Sequence, residues 1–132
     1  MKVLVVDDEP DVQLLFEQRF RREIQAGEIH FAFALSGEKA LIYLDQHASE
    51  CVLILSDINM PGMSGLELLR HIRQTHPLAP PTIMMITAYG DMDTHTKAIQ
   101  HGADDFLTKP LDFKTLKEKF RSIYEGQGSG RG

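Results

Sequence analysis

The sequence predicts a doubly wound α/β domain, a parallel sheet with helices on both faces, on three observations. Short apolar runs rich in Val, Ile and Leu recur along the 132 residues, and several stop abruptly at Asp or Thr. Segments with helical spacing of apolar residues separate them. The connections are short, and five strands alternating with five helices through short loops require parallel pairing with right-handed crossovers.

Taken in order, residues 2–7 form the first buried strand, ended by Asp7-Asp8-Glu9-Pro10. Pro10 or Asp11 opens a helix in which Val12, Phe16, Phe20 and Ile24 recur at i+4, and Gly27 stops it. Residues 29–35 alternate large and small apolar side chains as a second strand, nearer an edge. Ser36-Gly37-Glu38 caps the second helix, whose inward stripe is Ala40, Leu41, Leu44 and Ala48. The third strand, 52–57, is apolar up to Ser56 and ends on Asp57, as strands covered on both faces do at their loop. Pro61 and Gly62 turn the chain, and Ser64 caps a third helix that buries Leu66, Leu69 and Ile72. Pro77, Pro80 and Pro81 close that helix off. Residues 82–87 are a fourth strand and 91–101 a fourth helix of weaker amphipathicity, stopped by Gly102. A short fifth strand, 106–108, precedes a fifth helix capped by Asp112, with Phe113, Leu116, Phe120 and Ile123 facing inward. One domain of residues 1–125 is expected, followed by 126–132 as a flexible Gly-rich tail or the start of a linker.

Composition bounds the function. Apolar residues make up 42% and charged residues 25%, the balance of a soluble globular domain. A formal charge of -5 argues against a general nucleic-acid or anionic-membrane surface. Cys51 is the only cysteine, so no internal disulfide forms, and a reducing cytoplasm with Cys51 in the core is the expectation. The apolar run after Met1-Lys2 is too short for a signal peptide, and no run approaches membrane-spanning length.

Chemistry concentrates at one sheet edge. Parallel strands bring their C-terminal ends together, and ligands of open α/β sheets bind there. Asp7 and Asp8, Asp57, Thr87 and Lys109-Pro110 all stand at or just past strand ends. Each has a plain alternative: Asp57 as a turn former, Asp7 and Asp8 as helix caps, Thr87 as a structural strand end, Lys109 as a solvated lysine. Together they suggest more. Two carboxylates about 4 Å apart repel by roughly 4 kcal/mol at an effective dielectric of 20, so three need a cation or a proton. An all-oxygen set suits a divalent ion such as magnesium, with manganese as a substitute. A carboxylate nucleophile, a divalent ion, an ammonium and a hydroxyl are what phosphoryl transfer needs. The six histidines lack the i,i+4 spacing of a helix zinc site and read as surface residues. The lysines of the last helix read as a solvated face.

The sequence resembles the receiver domains of two-component response regulators. The likeness runs through Val-Val-Asp-Asp-Glu-Pro at 5–10, Ser-Asp-Ile-Asn-Met-Pro-Gly-Met-Ser-Gly at 56–65, Ile-Thr-Ala at 86–88 and Gly-Ala-Asp-Asp-Phe-Leu-Thr-Lys-Pro at 102–110. The resemblance implies a flavodoxin-like sheet of strand order 2-1-3-4-5, and a switch that catalyses only its own phosphorylation and dephosphorylation. It implies Asp57 as phosphoacceptor, and Asp8, Asp7 through water, Asp57 and the Asn59 backbone carbonyl as magnesium ligands. Thr87 is then the hydroxyl that moves toward the phosphoryl group, Lys109 its counter-cation and Phe106 the aromatic rotamer switch, a Phe where Tyr is commoner. The Lys109-Pro110 peptide bond is expected to be cis. Asn59 and Tyr89, each two residues beyond a site residue, are expected to set the lifetime of the phosphoryl group, with the Tyr89 ring excluding water. The implied partners are a sensor histidine kinase or phosphotransfer protein and an output domain or downstream protein. The fourth-helix, fifth-strand, fifth-helix face is the responsive surface, and it is open to homodimer formation. Direct nucleic-acid or membrane binding is not expected of the domain.

Two rival classes fit less well. A magnesium-dependent aspartyl-phosphate phosphohydrolase would usually carry its nucleophile after the first strand as Asp-x-Asp, with a substrate cap. Asp7-Asp8-Glu9 does not supply that arrangement. A flavin- or nucleotide-binding flavodoxin-like protein would offer a phosphate loop rich in Gly, Ser or Thr, where this chain has four acidic residues within 7–11.

Overall fold

Alternate residues of the first strand point into two different cores, which is what a strand with helices on both faces must do. In β1 (Lys2–Val6), Val3 and Val5 enter one apolar cluster and Leu4 and Val6 the other, all at 1% exposure or less. The computed structural model describes residues 1–47, 50, 53–75, 82–88 and 92–129. β1 pairs in parallel with β2 (His30–Ala34) and β3 (Leu53–Asp57), β3 with β4 (Thr82–Thr87), and β4 with β5 (Asp105–Thr108). The order is β2-β1-β3-β4-β5, as the resemblance implied, with β2 at an edge.

On one face lie α1 (Asp11–Arg19), α2 (Arg21–Gln25) and α6 (Phe113–Ser129); on the other α3 (Gly37–His47), α4 (Gly65–Thr75) and α5 (Met92–Gln100). The first face is built on aromatic rings. Phe16 of α1 meets Phe113 of α6 edge-on at 5.3 Å, and Phe20 stacks on Phe120 at 5.4 Å. Truncating such a ring costs about 3–5 kcal/mol. The cluster also brings α1 alongside α6, so the loops that precede these helices share one edge of the sheet.

The capping residues behave as their chemistry requires. Ser36 Oγ accepts from the Lys39 N–H at 3.1 Å, and Asp112 Oδ1 accepts from the Lys114 N–H at 3.0 Å. Ser64 and Glu67 form a reciprocal box: the Glu67 N–H donates to Ser64 Oγ at 3.2 Å and the Ser64 N–H to Glu67 Oε1 at 2.9 Å. Gly27 and Gly102 stop α2 and α5 with φ of 74° and 100°.

Several expectations are corrected. The first helix is two pieces, because Phe20 leaves helical geometry at φ −108° and ψ 23°. Hydrogen bonds continue across the break, from the Phe20 N–H to Phe16 O and from the Ile24 N–H to Phe20 O, both 2.9 Å, so the apolar stripe stays on one face. Leu68 joins Leu69 and Ile72 in the core, while Leu66 is only half-buried. The last helix does not give way to a tail at Gly126. It continues to Ser129, since extending a formed helix adds one hydrogen bond per residue and glycine weakens that without forbidding it. Ala48, Cys51, Val52, His76, Pro77, Pro80, Pro81, Tyr89 and residues 130–132 lie outside the described residues. No helix among the described residues is long and apolar enough to cross a membrane.

Candidate functional site

Register sets the site. Val6 pairs with Ser56 and Asp57 with Ile86, so Asp7 and Asp57 leave neighbouring strands at the same edge, beside Thr87. The Asp7 N–H donates to Ala34 O at 3.1 Å, and Asp7 Oδ1 accepts from the Glu9 N–H at 2.9 Å, which holds the acidic turn over β1. Asp7, Asp8 and Asp57 each present a carboxylate oxygen within 4.8 Å of the others. Asp7 and Asp57 are buried and Asp8 half-buried.

Lys109 reaches this cluster from β5. Its N–H donates to Thr87 O at 2.9 Å, its Nζ lies 3.2 Å from Asp57 Oδ2, and its bond to Pro110 is cis. Burial pushes the Asp7 carboxyl above its usual range. The nearby Asp57 and Asp8 add to the rise, against the Glu9 N–H and Lys109. Burial opposes charge on Lys109, but the carboxylates of Asp57, Asp7 and Glu9 outweigh it and hold the ammonium above its ordinary range. One ammonium does not balance three clustered carboxylates. Their all-oxygen donor set is chemically suited to a hard divalent cation, which would supply the missing charge.

Thr87 is 1% exposed, and its Oγ1 has no hydrogen-bond partner among the described residues. Strand parity puts it on the α3, α4, α5 face with Ile83 and Met85. Met85 pairs with Phe106 and Thr87 with Thr108, so Phe106 is its diagonal neighbour on that face. Phe106 is half-buried there, outside the carboxylate cluster, with the His95 ring centroid 3.6 Å from its own. Asn59 and Pro110 are exposed in their loops.

Three residues of consequence escaped the sequence reading. A Cβ at Gly65 would stand 2.2 Å from Asp57 O and 2.7 Å from Ile58 Cα, so α4 docks on the end of β3 only as glycine. A glycine at the start of a helix was the available signal. Glu38 Oε2 accepts from the Met63 N–H at 3.2 Å and fastens the loop that carries Asn59 to α3. His95, taken with the other histidines as a surface residue, is half-buried on Phe106. His47 likewise stacks on Tyr43 at 4.2 Å.

A parallel five-stranded sheet with clustered carboxylates, a lysine and a buried threonine at its C-terminal edge defines the receiver class of signalling domain. The family model for the response regulator receiver domain matches residues 3–121. The chain belongs to that family, the receiver domains of two-component response regulators. It is 40% identical over 117 residues to the response regulator protein PilR of Pseudomonas aeruginosa, covering 89% of this chain and 24% of that protein. It is 36% identical over 132 residues to the DNA-binding transcriptional regulator NtrC of Escherichia coli, covering 98% and 26% respectively. With the chemotaxis protein CheY of Pseudomonas aeruginosa it shares 34% over 125 residues, 95% of this chain and 97% of the other. The chain thus spans about a quarter of PilR and NtrC and nearly all of CheY. Among solved structures, the signal receiver domain of a putative LuxO repressor protein from Vibrio parahaemolyticus matches at TM-score 0.80 and 29% identity, over 94% of this chain and 89% of that one. A two-component response regulator from Clostridium difficile matches at 0.84 over 98% and 99%; at 22% identity it bears on the fold alone.

Proposed function

We propose that this domain is a phosphorylation-dependent switch that takes a phosphoryl group onto Asp57 from the phosphohistidine of a sensor histidine kinase or phosphotransfer protein. The observation that carries the reading is the buried Asp57 carboxylate, held 3.2 Å from the Lys109 ammonium and clustered with Asp7 and Asp8. In the step, an Asp57 oxygen forms a bond to phosphorus as the phosphorus–nitrogen bond of the donor breaks. The leaving imidazole takes a proton from solvent. Lys109 turns from Asp57 to the phosphoryl oxygens, and the Thr87 hydroxyl, which has no partner among the described residues, donates to one of them. Asp8, Asp57, the Asn59 carbonyl and, through water, Asp7 would hold magnesium, which when bound offsets the charge that carboxylates and phosphoryl group bring together. The chain supplies the catalytic groups itself, and no separate substrate is turned over.

A groove of about 930 Å³ between α1 and the loop after β5, lined by Asp7, Glu9, Leu15, Arg19, Lys109 and Phe113, borders the site at Asp7 and Lys109. Switching moves the α5, β5, α6 face, which acts on an output domain or a downstream protein, or pairs with a second copy. The cytoplasm is the compartment in which such a donor meets this domain. Asp8→Asn tests the reading: magnesium affinity and phosphorylation by acetyl phosphate should fall together. Wild-type metal affinity in that variant would contradict it.

A further inference from the structure

We infer that Glu38 is a positioning residue for the metal site: its carboxylate holds the loop between β3 and α4 by the Met63 N–H, and so sets how tightly the Asn59 carbonyl joins Asp8 and Asp57 in holding magnesium. The inference rests on the proposed role of Asp57 and its metal.

Both ends of that loop are fixed by hydrogen bonds. The Ile58 N–H donates to Ile86 O on β4 at 3.0 Å, the Gly65 N–H to Ile58 O at 2.8 Å, and the Ser64 N–H to Glu67 Oε1 at 2.9 Å. Between these points the chain passes through Asn59, Pro61 and Gly62, all exposed, with Met60 buried.

The start of α3 ties down the middle. Glu38, in the first turn of that helix, accepts from the Met63 N–H at 3.2 Å through Oε2, across 25 residues of chain. The same oxygen lies close to Gly62, where a Cβ would stand 3.0 Å from it and where φ is 73°. On the other side, the Met63 side chain lies over Gly37 so closely that a Cβ there would stand 2.9 Å from Sδ and 3.0 Å from Cγ. Gly37 and Glu38 thus seat the side chain and the backbone of one loop residue. Their helix is a firm support: Ser36 O accepts from the Ala40 N–H at 3.0 Å, and Ala40 and Leu44 are buried in the core.

Glu38 is exposed and stands outside the cluster of Asp7, Asp8 and Asp57, so its effect on a metal passes through the loop. A backbone carbonyl has no rotamer with which to reach an ion and lies where its loop puts it. A loop ordered in advance spares metal binding the entropy of ordering it, and a loosened one adds that cost.

Groups that orient metal ligands set affinity by about 10–100-fold, and an exposed hydrogen bond belongs at the lower end. Glu38→Ala should therefore weaken magnesium binding about tenfold, read by titrating the amide spectrum of the whole chain with magnesium. The magnesium concentration that gives half-maximal phosphorylation by acetyl phosphate should rise by the same factor. In the metal-free variant, hydrogen exchange of the Met63 amide should quicken. Glu38→Gln keeps an acceptor oxygen at the same reach without the charge, and should return most of the affinity and of the amide protection. Wild-type magnesium affinity in Glu38→Ala, with or without a lower unfolding midpoint, would overturn the inference. So would Glu38→Gln as weak as Glu38→Ala, which would make charge rather than the hydrogen bond the cause. Either result leaves the Asp57 reading intact, whereas a wild-type spectrum indifferent to magnesium would overturn both.

Discussion

Gly65→Ala should destabilise the domain although it replaces glycine by the best helix former. The new Cβ would stand 2.2 Å from Asp57 O, 2.7 Å from Ile58 Cα and 3.0 Å from Asp57 C. All three are backbone atoms, so no rotamer change relieves the contact, and α4 must draw back from β3 by about 1 Å to restore van der Waals separation. Overpacking of this kind costs about 1–3 kcal/mol. Withdrawal also strains the hydrogen bond from the Gly65 N–H to Ile58 O, now 2.8 Å, whose loss costs about 1 kcal/mol. The gain in helix propensity, up to about 1 kcal/mol, offsets only part of this. A net loss of about 1–3 kcal/mol is expected, read as a lower urea midpoint with an unchanged m-value. Because the atoms the new Cβ presses on belong to Asp57 and Ile58, magnesium affinity of the folded variant should fall as well. A midpoint equal to or above wild type would refute the reasoning, since it would mean that α4 does not rest on the end of β3.

Thr87→Ala should still be phosphorylated but should not switch, because the proposed Thr87 contact would form only with the phosphoryl group in place and so would bias a two-state equilibrium; equal α5 amide responses to beryllofluoride in variant and wild type would place the coupling elsewhere. The same substitution removes a buried hydroxyl without a partner among the described residues, so the unfolding midpoint should not fall by the amount a lost hydrogen bond costs. Tyr89→Ala should shorten the phosphorylated lifetime about tenfold, equivalent to roughly 1.4 kcal/mol of barrier, if the ring excludes water. Decay after donor removal measures this directly, and an unchanged or longer lifetime would show that the ring is not the gate.

Most of what could be read from the sequence was local or periodic. β4 runs from Thr82 to Thr87 as read, because a strand covered on both faces is an apolar run cut off by its loop. The site followed from topology: parallel strands bring all their C-terminal ends to one edge, so Asp57 and Lys109 meet across 52 residues of chain. The i+4 spacing of Phe16, Phe20 and Ile24 passes unbroken through a real break at Phe20, because the hydrogen bonds that set the face are kept. Gly65 against Asp57 O and His95 against Phe106 are contacts between consecutive elements, but they depend on how each helix docks on its strand, which no periodic spacing encodes. His95 was misread for a related reason: the only histidine pattern weighed was that of a metal site.

The intact mass of the protein after incubation with acetyl phosphate and magnesium tests the central claim most directly. The account predicts one added phosphoryl group, located by peptide mapping at Asp57, not formed when magnesium is chelated before the donor is added, and absent from Asp57→Asn. An unmodified wild-type protein in saturating magnesium, or equal modification of Asp57→Asn, would contradict it.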